Sequence, residues 1–211
     1  MSIVHLVRHG QVDNPTGVLY ERLPGYHLSD LGRQMAAEAA QFFAPLPISH
    51  LRCSPLERAQ ESMQPIATLF PDLEVVTDPR VIEAGNVFAG QVMGSTAKAA
   101  QKPKNWRYLL NPFRPSWGEP YAEIADRMEA AIRDAADVVG ETGHAVIVTH
   151  QLPIWMTRRR AEGKPLWHDP RKRECALASV TSLRVFGGEI YGIEYAEPAA
   201  DLLSPGPRHG F

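Results

Sequence analysis

Apolar residues in this chain come as short dense runs alternating with stripes at helical spacing. Ile3-Val4-His5-Leu6-Val7 is the first run, with the density of Ile, Val and Leu that favours a buried strand. Gly10 tolerates positive φ and lets backbone pass close to a ligand, so the strand ends there, just after Arg8 and His9. Gln11 to His27 carries Asn14-Pro15, Gly17 and Pro24-Gly25, the turn chemistry of a long loop. A helix opens at Leu28-Ser29 with Ser29 as N-cap, places Leu31, Met35, Ala39 and Phe42 on one face, and stops before Pro45 and Pro47. Leu51 to Ser54 reads as a second strand, and Pro55 fits the first turn of a helix reaching Leu69. Leu73 to Val76 gives a third strand and Arg80 to Glu83 a fourth extended piece.

After Phe88 the pattern weakens. Residues 88–120 interleave Lys98, Lys102, Lys104, Arg107 and Arg114 with Trp106, Tyr108, Phe113 and Trp117. This is either a solvated, loosely helical excursion or a lid that presents cations to an anionic substrate. Gly118 to Gly140 is the longest helical stripe. His144 to His150 is a nearly continuous β-branched run, as expected of a central strand covered on both faces. Gln151 to Gly163 reads as a helix ending in the solvated run Arg158-Arg159-Arg160. Ser179 to Phe186 and Glu189 to Tyr195 flank a Gly187-Gly188 turn as a hairpin, and 198–211 is a tail rich in Pro and Gly. Strands alternating with helices predict an α/β protein: a three-layer α/β/α sandwich around a mostly parallel sheet, with an antiparallel edge hairpin near the C-terminus. No repeat or linker divides residues 1–211, which read as one domain.

Composition narrows the class. The chain has 211 residues, and a net charge of −2 gives no reason to expect nucleic acid or an anionic membrane as partner. Cys53 and Cys175 lack metal spacing and read as small core residues in a reducing compartment. No run is long enough for a membrane helix and no secretory signal stands at the start, so a cytoplasmic location is expected. No apolar stripe marks an oligomer interface, and a homodimer stays open.

Two apolar strands thus end in histidine, His9 and His150, one of them preceded by Arg8. Arg58 lies in a first helical turn after another strand, and Glu83 closes an extended piece. Alone, His9 reads more readily as a hydrogen-bonded structural histidine than as a catalytic one. If parallel strands bring these ends to one sheet edge, however, the pocket holds two guanidiniums, two imidazoles and a carboxylate. Guanidinium forks suit a tetrahedral oxyanion. With no P-loop glycines and no carboxylate cluster for Mg²⁺, the chemistry on offer is metal-free attack of an imidazole on phosphorus, with no cofactor.

These residues resemble the histidine phosphatase superfamily, also called phosphoglycerate-mutase-like. The resemblance rests on Arg8-His9-Gly10, on Leu28, Ser29 and Gly32, on Ser54, Pro55, Leu56 and Arg58, on Glu83, and on Val146 through His150, in order. It implies that His9 is the nucleophile and becomes phosphohistidine. It implies that Arg8, Arg58 and His150 bind the phosphoryl oxygens and that Glu83 serves as acid and then base. His9 must then be neutral, with its other ring nitrogen donating to a backbone carbonyl. Asn14 would add a phosphate contact, although it follows His9 by five residues where the family usually has six. Gly118-Glu119-Pro120 replaces a glycine-glutamate-serine motif. Gln151-Leu152 replaces small glycines, so that Gln151 stands beside the phosphate and changes which leaving group fits. A phosphomonoesterase acting on a small phosphorylated metabolite is the favoured reading; a phosphoglycerate-type mutase and a low-turnover phosphate-binding regulator are the alternatives.

Overall fold

The computed structural model describes residues 1–92 and 118–203. Six strands form one sheet: β1 (Ser2–Arg8), β2 (Ile48–Cys53), β3 (Val75–Thr77), β4 (His144–Thr149), β5 (Val180–Phe186) and β6 (Glu189–Ala196), in the order β3-β2-β4-β1-β5-β6. The first four run parallel, while β5 is antiparallel to β1 and β6 to β5. Among the described residues four α-helices cover it: α1 (Asp30–Gln41), α2 (Glu57–Leu69), α3 (Tyr121–Val139) and α4 (Gln151–Ala161).

Alternate residues of β4 explain the layering. Ala145 and Ile147 join Met128, Ala131 and Ile132 of α3 and Ile154 of α4 in one apolar cluster. Val146 and Val148 point to the other face, with Ala40 of α1 and Ala59, Met63 and Ile66 of α2. A strand covered on both faces needs no polar alternation, which is why this run is continuously apolar. The result is the expected α/β sandwich with its C-terminal hairpin. Gly187 and Gly188 both take positive φ in the hairpin turn, +57° and +80°.

Several local expectations shift. Arg80 to Glu83 is not an extended piece: Pro79–Val81 forms a 3-10 turn, because the Asp78 side chain accepts the Arg80 N–H and Pro79 presets φ. The third strand is Val75–Thr77 rather than 73–76. Pro55 precedes α2, whose N-cap is Leu56. Gly10 is needed for a different reason from the expected one. A Cβ there would collide with the carbonyl oxygen of Gly32, and one on Gly32 with that of Gln11, so the two glycines let α1 abut the loop after β1. Nor is Arg158-Arg159-Arg160 a solvated end. Arg158 pairs with Glu162 and Glu174, Arg160 with Asp126 and Glu129, and Arg159 donates to the Pro165 carbonyl. Cys53 and Cys175 are buried and unbridged, and no helix among the described residues is long and apolar enough to cross a membrane.

Candidate active site

Strand register decides where the site lies. Arg8 is level with Thr149 across β1 and β4, and Cys53 with Val148 across β2 and β4. His9, His150 and Ser54, one residue beyond each strand, therefore emerge together at the carboxyl edge. The ladder even continues past the strands, with His9 N–H donating to Thr149 O at 3.2 Å and Ser54 N–H to Val148 O at 3.0 Å. Such an edge is where open α/β sheets bind ligands.

The resulting floor is buried and cationic. The His9 ring meets a carbonyl, Gly10 O, at 2.8 Å through Nδ1. A carbonyl only accepts, so Nδ1 carries the proton and Nε2 keeps its lone pair. Arg58 donates from Nε to that Nε2 at 3.3 Å and from Nη2 to Glu21 O at 2.6 Å, and Tyr20 lies against its guanidinium. The His150 ring is 5.1 Å from the His9 ring, centre to centre. Its Nε2 is bonded to Ser54 Oγ at 2.8 Å, and that oxygen also accepts the Leu56 N–H. That bond leaves Nδ1 as the free ring nitrogen of His150. That atom and Arg58 Nη1 are buried polar atoms with no partner. Two orphaned polar atoms beside one lone pair are costly unless a ligand satisfies them. Arg8 donates from Nη1 to Cys175 O at 2.6 Å.

Charge state follows from burial. Desolvation, then the Arg58 and Arg8 guanidiniums, hold His9 well below the ordinary imidazole range. Desolvation and Arg58 do the same to His150. Both imidazoles are neutral at pH 7.

A cavity opens over Arg8 and His9, with Val18, Tyr20, Glu21, Glu83, Gln151 and Arg173 among its walls. Arg58 and His150 sit behind His9 rather than in the wall. The segment carrying Glu83 is tied down twice: Thr149 Oγ1 donates to Val81 O at 2.6 Å, and Arg22 Nε to Glu83 O at 2.6 Å. The Glu83 carboxylate accepts the Ala84 N–H at 2.8 Å. Glu119, from the departed glycine-glutamate-proline motif, braces this wall by accepting from Arg22 and Arg127.

Of the sequence-predicted residues, Arg8, His9, Arg58, Glu83, His150 and Gln151 converge. Asn14 does not: its amide closes a loop onto itself, donating to Val18 O at 2.8 Å and accepting Val18 N–H at 3.0 Å. One residue fewer after His9 leaves it serving the loop. The cations and aromatics of residues 98–117 lie outside the described residues, as does the tail from 204. Two wall residues escape the sequence reading. Glu21 sits at φ +38° with its carbonyl held by Arg58, and desolvation followed by the Glu83 charge pushes its carboxyl up to about 7. Arg173 follows a turn at Asp169-Pro170-Arg171 whose capping repeats that of Asp78-Pro79-Arg80. That repeated tripeptide was the available signal, since each turn delivers a wall residue a few positions later.

With this geometry in view, comparison with known proteins is decisive at the family level. The model of the histidine phosphatase superfamily (branch 1) matches residues 4–196. The chain belongs to that superfamily. It is 52% identical over 197 residues to Rv0525 of Mycobacterium tuberculosis, covering 93% of this chain and 96% of that one. It is 30% identical over 155 residues to the 2,3-bisphosphoglycerate-dependent phosphoglycerate mutase of Thermoplasma acidophilum, covering 73% of each. Among solved structures, Bacillus stearothermophilus YhfR superposes with a TM-score of 0.75 at 20% identity, covering 90% of this chain and 95% of that one, a likeness of fold.

Proposed function

We propose that the protein is a metal-independent phosphomonoesterase that acts on a small phosphorylated metabolite through a phosphohistidine. One observation carries this reading: His9 is fixed as the Nδ1–H tautomer by Gly10 O, with a neutral Nε2 lone pair among Arg8, Arg58 and His150. A neutral imidazole is a competent nucleophile, and the surrounding donors stabilise charge on the equatorial oxygens during in-line transfer. Nε2 attacks phosphorus as the ester P–O bond breaks, and the Glu83 carboxyl gives its proton to the departing oxygen. The Glu83 carboxylate then takes a proton from water, which attacks the phosphohistidine and releases phosphate. Arg58, now a partner of His9 Nε2, swings its donors to the phosphoryl group when that lone pair is used.

Phosphate release from p-nitrophenyl phosphate and a panel of metabolite monoesters, in EDTA, tests this. We expect turnover to survive chelation and to fall by roughly 10⁴-fold or more in His9→Ala. Activity that persists in His9→Ala would sink the assignment. The mutase relative supports a second reading, in which the phosphohistidine is passed to a phosphoglycerate instead of water. Incubation of 3-phosphoglycerate with trace bisphosphoglycerate separates the two: 2-phosphoglycerate indicates the mutase, free phosphate the hydrolase.

A further inference from the structure

Arg173 is held in a manner unlike its neighbours. Arg171 pairs with Asp169, and Arg158 with Glu162 and Glu174. Arg173, which is more enclosed than Arg171, makes no ion pair among the described residues. Its Nε donates to His168 Nε2 at 2.8 Å, and its Nη1 to Gln151 Oε1 at 3.3 Å. The His168 Nδ1 meets Leu166 O at 2.8 Å, so Nδ1 carries the proton and Nε2 accepts from Arg173 as a neutral ring. Burial first, with the neighbouring arginines Arg173 and Arg159 adding to it, keeps that imidazole neutral, at about 4. Both anchors therefore fix the guanidinium in place without cancelling its charge. A guanidinium stays charged in a protein, so its charge is left facing the cavity.

The position is equally specific. Arg8 Nη1 and Gln151 Nε2 both donate to Cys175 O, at 2.6 and 3.4 Å, and Gln151 Oε1 accepts from Arg173. One carbonyl and one amide thus separate the phosphoryl-side Arg8 from Arg173. Arg173 also borders the adjoining recess lined by Gly85, Asn86 and Tyr121, into which a leaving group would extend. The carboxyls facing it are Glu83, the proton donor of the proposed reaction, Glu21, whose burial favours its protonated form, and Glu119 in the recess, whose charge is already taken up by Arg22 and Arg127.

We propose that Arg173, positioned by Gln151 and His168, binds an oxyanion on the leaving group, making the protein selective for phosphoesters that carry a second anionic group a few bonds from phosphorus. This rests on the phosphoryl site described above, and it gives Gln151 a purpose in place of a small residue: it links that site to the second cation.

The test is calorimetric binding to the His9→Ala protein, which separates recognition from turnover. The probes are 3-phosphoglycerate, glycerol 1,3-bisphosphate, glycerol 3-phosphate and inorganic phosphate. A charge-assisted contact predicts about tenfold to hundredfold tighter binding of the first or second probe over glycerol 3-phosphate. Preference for the first identifies a carboxylate site, and preference for the second a phosphate site. Adding Arg173→Met should bring the ratio to within about twofold, and Arg173→Lys should retain part of it. Gln151→Ala, which leaves Arg173 in place but less fixed, should reduce it partially, and serves if Arg173→Met fails to fold. A parent ratio near one, or a ratio unmoved by Arg173→Met, would overturn the inference. So would an equal loss for inorganic phosphate, which would assign Arg173 to the phosphoryl group itself. Hydrolysis by the His9 protein without any binding preference would overturn the subsite alone; preference without hydrolysis of any ester would support the subsite and overturn the phosphatase reading.

Discussion

The floor and the wall of the cavity are built by different means. Arg8 ends its strand; His9, Ser54 and His150 stand one residue beyond adjacent strands, and backbone hydrogen bonds fix where each emerges. Glu21, Glu83 and Arg173 stand on loops, placed by side chains: Arg58 on the Glu21 carbonyl, Arg22 on the Glu83 carbonyl, and His168 and Gln151 on the Arg173 guanidinium. A floor set by the sheet holds its geometry whatever the loops do. A wall set by side-chain contacts can change residue by residue without disturbing the sheet. On the proposed reading, the part that would hold the phosphoryl group is fixed by backbone, and the part that would meet the variable leaving group is set by side chains.

If that division is right, loss of a floor group should cost the same for every substrate. His150→Ala removes a buried imidazole from the floor and touches no wall residue. We expect kcat to fall about 10²–10³-fold, by analogy with loss of an oxyanion-hole donor, and equally for p-nitrophenyl phosphate, glycerol 3-phosphate and 3-phosphoglycerate. Losses that differ among these esters by more than a few-fold would break the distinction between floor and wall.

The same division explains what is legible in the sequence. Two runs of β-branched residues ending in histidine announce two strand ends, and parallel pairing does the rest. Ser29 capping α1 and the helix start near Arg58 follow from equally local rules. The wall depends on contacts between segments far apart in the chain. Nothing near Glu21 indicates that its carbonyl meets Arg58, 37 residues away. Nothing near Arg173 indicates His168 as a neutral partner, because that neutrality comes from burial. Asn14 shows the opposite failure, a motif residue whose offset of one leaves it bonded to Val18. Arg80 to Glu83 misleads because its apolar residues suit a strand, while Asp78 and Pro79 dictate a turn.

A second test probes the sheet beneath the floor through stability. His5, in β1 beneath the site, bonds Ser182 and His144, and its burial together with His144 lowers it to about 4; His9 and His150 are likewise held low. The unfolded chain takes up these protons near pH 6.5 and the native protein does not, so stability falls as pH drops below 6.5. His5 alone accounts for about 3 kcal/mol between pH 6.5 and 4. Urea midpoints measured at pH 7, 6, 5 and 4 should decline accordingly, and His5→Gln, which cannot titrate, should flatten the decline. An identical slope in the variant would show that this imidazole is not the cause.

The wall calls for the most selective effect, and Glu21→Gln supplies it. Glu21 titrates in the opposite sense to the floor histidines: its native pKa, about 7, lies above the unfolded value. The unfolded chain releases this proton near pH 4.5 while the native protein keeps it, so stability is lost as pH rises from about 4.5 to 7. Glutamine fits the same space, leaves the backbone carbonyl available to Arg58, and cannot ionise. The variant should therefore melt higher than the wild type at pH 8, by about 3 kcal/mol in stability, and the gain should fall below about 1 kcal/mol at pH 5 and vanish near pH 4. Activity should diverge in the same window. Above pH 7 the wild type gains a negative charge on Glu21, facing an anionic ester, and the variant does not. Its kcat/KM should accordingly decline less steeply from pH 7 to 8.5. A constant ratio between the two proteins across that range would mean that Glu21 only shapes the cavity. A widening ratio would mean that one uncharged substitution in the wall retunes the response to pH while the floor, fixed by the sheet, continues to do the same chemistry.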